Sequence, residues 1–270
     1  MGNHGTILTT GNGGFSWRVQ ASGTTWNLLG ISCANDRYCI AVGADGVIVD
    51  TSNGGASWHI QTSSTTKWLT GISCPSRNRC TTVGGGVILA TVDGGASWRV
   101  QHSGLTWQLW SISCPSNVHC IAVGDAGLIV VTVNGGVSWH MRSSHTIGDL
   151  LGVNCPSTVR CTGVGYLGAA VTTNNGGASW RDQTLGTNML LGGISCPSSR
   201  HCVAINSVGA FLTTGNGVTW RNRVLRAVGS LWGIDCPNTG RCIVVGTAIT
   251  ILTSNDGGGS WHIQPSQSTS

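Results

Sequence analysis

Six pairs of cysteines, all spaced C-x5-C, are the residues of this chain best equipped for chemistry: Cys33/Cys39, Cys74/Cys80, Cys114/Cys120, Cys155/Cys161, Cys196/Cys202 and Cys236/Cys242. Two nearby thiols can form a disulfide, share a metal, or stay reduced and pack as small apolar groups. Zinc needs four ligands, and each pair offers two with none of the usual C-x2-C spacing, so no metal site is expected. If each pair brackets a tight hairpin, its Cα atoms face each other at about 4.5–5.5 Å, within disulfide reach. Reduced thiols remain the alternative. Six disulfides require an oxidising compartment, extracellular or periplasmic. No charged-then-apolar leader precedes the first repeat, so an exported protein would have lost its signal beforehand. No apolar run is long enough to span a membrane as a helix.

Catalytic inventory is thin. The chain has nine acidic residues, every one an Asp, and its only tyrosines are Tyr38 and Tyr166. Glycoside hydrolysis needs two carboxylates flanking the bond. Asp45 and Asp125 fall in candidate loops, but at what read as matching turn positions of different repeats, where Asp serves as a turn former. No Gly-x-Ser-x-Gly elbow, His-Glu-x-x-His helix or phosphate-binding loop is present. No catalytic residue and no cofactor is expected.

The elements that hold the cysteines follow from a repeat. Seven tryptophans, Trp17, Trp58, Trp98, Trp139, Trp180, Trp220 and Trp261, close Gly-rich turns at intervals of 40 or 41 residues. A period of that length marks one supersecondary unit copied along the chain. Between Leu28 and Gln61 lie four short apolar runs, LLGISC, CIAVG, VIVDT and SWHIQ, separated by Gly, Asn, Asp and Ser clusters. These read as strands a to d joined by tight hairpins, with the cysteines bracketing a–b. The expectation is an all-β, single-domain β-propeller of four-stranded antiparallel blades over 1–270. A β-solenoid is the runner-up, although its coils are shorter and do not favour three tight hairpins per repeat. Strands c and d occur seven times and a and b six times, because Gly2-Asn3-His4-Gly5 aligns with the b–c turn Gly43-Ala44-Asp45-Gly46. Seven blades are therefore expected, the first a half blade over 1–20, with six full repeats over about 26–264. The alternative is six blades with an extra N-terminal hairpin.

The turn Thr51-Ser52-Asn53-Gly54-Gly55-Ala56-Ser57-Trp58 resembles the Asp-box, or BNR, repeat of sialidases and of propellers of the photosystem II assembly-factor type. Asp93 and Asp256 stand at the third position, with Asn12, Asn53, Asn134 and Asn175 in other copies and Gly215 in a degenerate sixth. The resemblance implies a propeller whose turns are structural, lying between strands c and d away from any active site. Sialidase chemistry implies a Tyr nucleophile paired with Glu, an Asp acid/base and an Arg triad. This chain has no Glu and its Tyr38 lies in an a–b turn, so a sialidase-like, glycan-active enzyme is the least favoured reading.

Two surfaces remain as binding candidates. Trp26, Trp68 and Trp107 precede strand a, and Trp110 and Trp232 sit on it; such indoles can stack on sugar rings or apolar ligands. Their irregular spacing favours the plainer role of covering the core between blades. A basic residue follows each turn tryptophan (Arg18, His59, Arg99, His140, Arg181, Arg221 and His262), and Arg37, Arg77, Arg79, His119, Arg160, Arg200, His201 and Arg241 sit in the a–b turns. With a net charge of +5 they could form a rim for an anionic polymer, while charge on an outer strand also simply blocks aggregation. No nucleic-acid module or dense basic run appears. The reading is an exported, non-catalytic binding or structural scaffold for a protein or glycan partner. A bare edge on Thr6–Thr10 adds a second possibility, self-assembly into an oligomer or fibre.

Overall fold

The computed structural model describes all residues except 102, 103, 105, 184, 225–228, 248, 249 and 265–270. Its strands form six four-stranded antiparallel sheets and one two-stranded sheet. Blade 1 consists of Leu28–Cys33, Cys39–Gly43, Ile48–Thr51 and His59–Gln61, and blades 2 to 6 open at Leu69, Leu109, Leu150, Leu191 and Leu231. Each strand pairs only within its own blade, in the order a-b-c-d, which excludes a solenoid, where successive coils share sheets. The architecture is a β-propeller of six complete blades.

The seventh sheet is the hairpin Ile7–Thr9 with Arg18–Gln20, registered Ile7↔Gln20 and Thr9↔Arg18. It supplies a c and a d strand and no a or b, so the six-blade alternative with an N-terminal hairpin is what forms. Its leading segment keeps the b–c turn geometry that the alignment implies. Gly2 has φ −176° and ψ −152°, and Gly43 has φ −169° and ψ −152°. His4 and Asp45 both occupy left-handed backbone, at φ 51° and 55°.

Contacts group the chain into two compact units: Met1–Thr9 with Arg18–Arg142, and Thr10–Trp17 with Ser143–Ser270. In the first, alternation along the strands splits each blade's apolar residues between two neighbours. Ile40, Val42 and Ile48 of blade 1 pack on Leu69, Ile72 and Leu89 of blade 2, and Val83 and Ile88 pack on Leu109, Ile112 and Val130 of blade 3. Ile7, the counterpart of Ile48, packs on Leu28, Ala41 and Val49, so the hairpin meets blade 1 as one blade meets the next. The second unit repeats the scheme. Val164 and Ala170 pack on Leu191 and Ile194, and Val203, Ile205 and Phe211 on Leu231, Val244 and Leu252.

Every strand a carries a bulge after its first residue: the register breaks between Leu28 and Gly30, Leu69 and Gly71, Leu109 and Ser111, Leu150 and Gly152, Leu191 and Gly193, and Leu231 and Gly233. A bulge leaves one residue unpaired and re-aims its side chain. The six residues so displaced are Leu29, Thr70, Trp110, Leu151, Gly192 and Trp232. Two of the candidate tryptophans, Trp110 and Trp232, thus share one regular position, each directly after the first Leu of its strand a.

Candidate functional site

Each blade has two ends, and they are built differently. One end carries the a–b and c–d turns. All six cysteine pairs are disulfides there: Cys33–Cys39, Cys74–Cys80, Cys114–Cys120, Cys155–Cys161, Cys196–Cys202 and Cys236–Cys242. Their Cα–Cα distances of 4.0–4.1 Å correct the wider spacing expected of an open antiparallel pair. The bridge draws directly opposed residues together, as the register Cys33↔Cys39 shows in blade 1.

The pairs sit at facing strand ends, as the spacing implies, and ten of the twelve cysteines are also buried, Cys80, Cys161, Cys202 and Cys242 most deeply. Cys80 packs with Cys74 among Tyr38, Ile40 and Ile72. Cys202 packs among Ile194 and Leu212, and Cys242 among Val203, Val244 and Leu252. Strand alternation turns these side chains toward the neighbouring blade, and an oxidised sulfur there is an apolar filler with no proton to satisfy. These four cysteines are therefore core as well as clamp, and offer nothing to a ligand. Cys33, by contrast, is exposed.

The first cysteine of a pair also ties its blade to the preceding one. The N–H groups of Cys74, Cys114 and Cys236 donate to the hydroxyls of Ser32, Ser73 and Ser195 at 2.9–3.0 Å, and that of Cys196 to Asn154 Oδ1 at 3.2 Å. A polar residue recurring before each first cysteine on an apolar strand was the available signal for this ladder.

The residue before the second cysteine reaches across to the tryptophan turn of the next blade. Tyr38 Oη donates to Gly94 O at 2.6 Å, Arg160 Nη2 to Gly217 O at 2.8 Å, and His201 Nε2 lies 2.9 Å from Gly257 O. Burial pushes the Tyr38 phenol up to about 12. Arg160 and His201 therefore serve the scaffold, and a–b turn cations are not one free basic rim as expected. By contrast the strand-d residues Arg18, His59, Arg99, His140, Arg181, Arg221 and His262 all point to solvent.

The tryptophan turns close on themselves. In blade 1, Asn53 Oδ1 accepts from Ser57 N at 3.0 Å and its Nδ2 donates to Ser57 Oγ at 2.8 Å, while Gly55 N donates to Thr51 Oγ1 at 3.0 Å. Blade 2 uses a carboxylate instead: Asp93 accepts from Ser97 N at 3.0 Å and Ser97 Oγ at 2.5 Å. These bonds from Ser97, and then that from Thr91, hold Asp93 down at about 2; Ser260 does the same to Asp256. In blade 5 the acceptor is Asn216, not Gly215. Its Oδ1 takes the N–H groups of Val218 and Thr219 at 2.9 and 2.8 Å, because this turn has lost one glycine and the Asn keeps its distance from Thr214.

The other end carries the start of strand a, the b–c turn and the link from the previous blade. Its frame repeats, in the leading Leu of each strand a and in the links, where Ser22, Ser63 and Ser144 donate to the carbonyls of Thr24, Thr65 and Thr146, but the tryptophans do not. In the first unit Trp26, Trp68, Trp107 and Trp110 are 51%, 58%, 54% and 37% exposed, and in the second Trp232 is 57% exposed. They are partly exposed, each presenting a third or more of its surface to solvent. Beneath them the packing is close: a Cβ on Gly43 would lie 1.9 Å from Asn27 O, and one on Gly124 2.1 Å from Gln108 O. Links and turns are therefore locked by backbone contact, leaving the indoles on a rigid base. Trp110 Nε1 donates to Asp125 Oδ1 at 2.7 Å. Asp125 opens its b–c turn, whereas Asp45 takes the second, left-handed position of its own, so the two are one position apart rather than matched.

No family model matches the chain, and no curated protein does. Solved structures do. The structure described as YCF48 bound to D1 peptide has a TM-score of 0.71 at 21% identity, covering 88% of this chain and 81% of that one. The WD40 β-propeller domain of Doa1 has a TM-score of 0.73 at 12% identity, covering 98% and 86%. The GH74 enzyme of Niastella koreensis has a TM-score of 0.70 at 14% identity, covering 97% of this chain and 54% of that one. Likeness at such low identity reports the shared path of the backbone: this chain is a β-propeller.

Proposed function

We propose that this protein is an exported, non-catalytic binding scaffold whose tryptophan turns are Asp-boxes, and which takes an extended protein or glycan partner on the indole-bearing end of blades 1 to 3. One observation carries the reading. Four indoles of the first unit, Trp26, Trp68, Trp107 and Trp110, stand exposed on a base fixed by backbone contact. Rigid aromatic groups cost little entropy to immobilise, and they suit sugar rings and apolar side chains alike. Six disulfides favour an oxidising environment, in keeping with export. Similar structures include one bound to a peptide and one GH74 enzyme, so the fold admits binding and catalysis alike. The absence of Glu and the structural duties of Asp45 and Asp125 favour binding.

Intrinsic tryptophan fluorescence tests this directly, with arrays of neutral oligosaccharides and of extended apolar peptides as probes. A hit should shift the emission and lose at least tenfold in affinity in Trp26→Ala/Trp68→Ala/Trp107→Ala. A hit indifferent to all three changes overturns the site. Hydrolysis of any array member that Asp45→Asn with Asp125→Asn removes overturns the non-catalytic reading.

Self-assembly is the second reading. Among the described residues strand Ile7–Thr9 pairs on one side only, with Arg18–Gln20. Light scattering at high concentration showing a monomer would end it.

A further inference from the structure

We propose that the second unit holds a separate binding site for a carboxylate, carried on a body about the size of one monosaccharide, between the turn Thr10–Trp17 and the outer strands of blade 6. A cavity of about 200 Å³ opens there, lined by Phe15, Arg241, Thr253, Asn255, His262 and Gln264, with Gly14 at its back. It is roomier than a bound water needs and smaller than most drug-sized pockets, which sets the ligand's size. Two of the lining groups are basic and none is acidic.

Several side chains around this cavity occupy repeat positions that find partners in certain other blades, Arg160, His59, His140, Gln101 and Gln183 among them. Arg160, the counterpart of Arg241, donates to Asn174 Oδ1 at 3.1 Å and to Gly217 O at 2.8 Å. Among the described residues the Arg241 guanidinium makes no hydrogen bond or ion pair, although Asn255 occupies the place of Asn174. His59 and His140 lie 3.5 and 3.2 Å from the hydroxyls of Ser57 and Ser138. At His262 the matching Ser260 hydroxyl donates to Asp256 at 2.7 Å, and among the described residues the imidazole makes no hydrogen bond. Gln101 and Gln183 accept the indole N–H of Trp139 and Trp220 at 2.9 and 3.2 Å. Gln264 Nε2 keeps the bond to Thr253 Oγ1 that Gln183 Nε2 makes to Thr172 Oγ1, but Trp17 Nε1 gives its proton to Gly14 O at 3.1 Å.

The N-terminal turn also departs from the others in the residue before its Ser. Where Ala56, Ala96, Val137, Ala178, Val218 and Gly259 stand elsewhere, this turn has Phe15, 69% exposed, with the Arg241 guanidinium 6.0 Å from its ring centre. The ring holds the cation in place without consuming its donors. An oriented guanidinium fork with an imidazole, an amide and a hydroxyl beside it matches a carboxylate. The carboxylate would come either from a free sugar acid or from one residue of an acidic polysaccharide.

Calorimetric titration with galacturonic acid, trigalacturonate and neutral galactose decides the matter. Galacturonic acid should bind and galactose should not. Arg241→Gln should weaken binding at least tenfold and Phe15→Ala several-fold, while Arg160→Gln, at the satisfied counterpart, changes it less than twofold. Tighter binding of trigalacturonate than of the monomer assigns the polymer as source, and equal binding assigns the free acid. Should Arg241→Gln fail to fold, His262→Gln takes its place, with a loss of threefold or more expected. No heat with either acid, equal binding of galactose, or unchanged affinity in these variants overturns the proposal. Trp26→Ala/Trp68→Ala/Trp107→Ala should leave the titration untouched, so this site and the indole-bearing end stand or fall separately.

Discussion

At the disulfide end a sulfur bridge recurs in every blade, an N–H reaches back to the preceding blade from Cys74, Cys114, Cys196 and Cys236, and Tyr38, Arg160 and His201 reach forward to the next turn. At the opposite end the backbone repeats, bulge by bulge, but the side chains standing on it do not: Leu29, Thr70, Trp110, Leu151, Gly192 and Trp232 share one position. Constancy where blades are joined and variety where they meet solvent is the division expected of a scaffold whose recognition was added to a fixed frame. The contrast makes a quantitative demand. Changes at the first end should act on stability, and changes at the second on binding alone.

Reduction of the disulfides is the harshest way to break the comparison. On the chain-entropy model each seven-residue loop contributes about 2 kcal/mol, so six together reach roughly 12 kcal/mol, comparable with the whole stability of a typical domain. Urea denaturation with and without reductant should show the transition collapse in the reduced protein. Removing the least buried bridge, Cys33→Ser with Cys39→Ser, takes away the loop constraint with little loss of packing, and should cost only about 2 kcal/mol.

Inside the turns, Thr132→Val keeps the shape and deletes the hydroxyl that accepts from the buried Gly136 N–H at 2.9 Å. Leaving that donor without a partner should cost about 1–3 kcal/mol in the same measurement. Tyr38→Phe removes the bond to Gly94 O and should cost about 1 kcal/mol.

The frame was legible from sequence because it is periodic. The 41-residue spacing, the C-x5-C pairs and the alternating strands each repeat often enough to be read without coordinates. Legibility failed where one residue's duty depends on the neighbouring blade. Arg160 and His201 look like surface cations, and only the approach of Gly217 and Gly257 makes them structural. The burial of Cys80, Cys161, Cys202 and Cys242 has the same origin, since the pairing of two cysteines says nothing of what the next blade lays over them. Gly215 looked like a degenerate turn position because the count of residues was trusted over the spacing from Thr214, which Asn216 preserves. The two Asp residues weighed as catalytic also looked equivalent until the turn dihedrals separated them. The bulge after the first residue of every strand a was likewise hidden, since nothing in the residue types at 29, 70, 110, 151, 192 and 232 marks it.

Acid should sharpen the comparison within the turns themselves. Asp93 and Asp256 are held at about 2 by their hydrogen bonds, below the ordinary 3.8. A carboxylate depressed by folding stabilises the native state above its unfolded value, and that contribution disappears as pH falls through the folded one. Unfolding midpoints should therefore decline between about pH 4 and 2. Asp93→Asn with Asp256→Asn installs the neutral turn that Asn53 and Asn134 already use, and should flatten that decline. An unchanged slope would mean that other carboxylates govern acid unfolding.

The smallest stability effect is expected at the indoles, and it is the most telling. Single changes Trp26→Ala, Trp68→Ala and Trp107→Ala remove large side chains that are more than half exposed. Less than half of each ring is buried, so each change should cost about 1 kcal/mol of stability or less. A shift of about 2 kcal/mol or more, the scale of a lost core contact, would mean that these rings hold the links in place after all. The varied end of the blade would then be part of the frame, and the division between a stapled end and a recognising end would lose its basis.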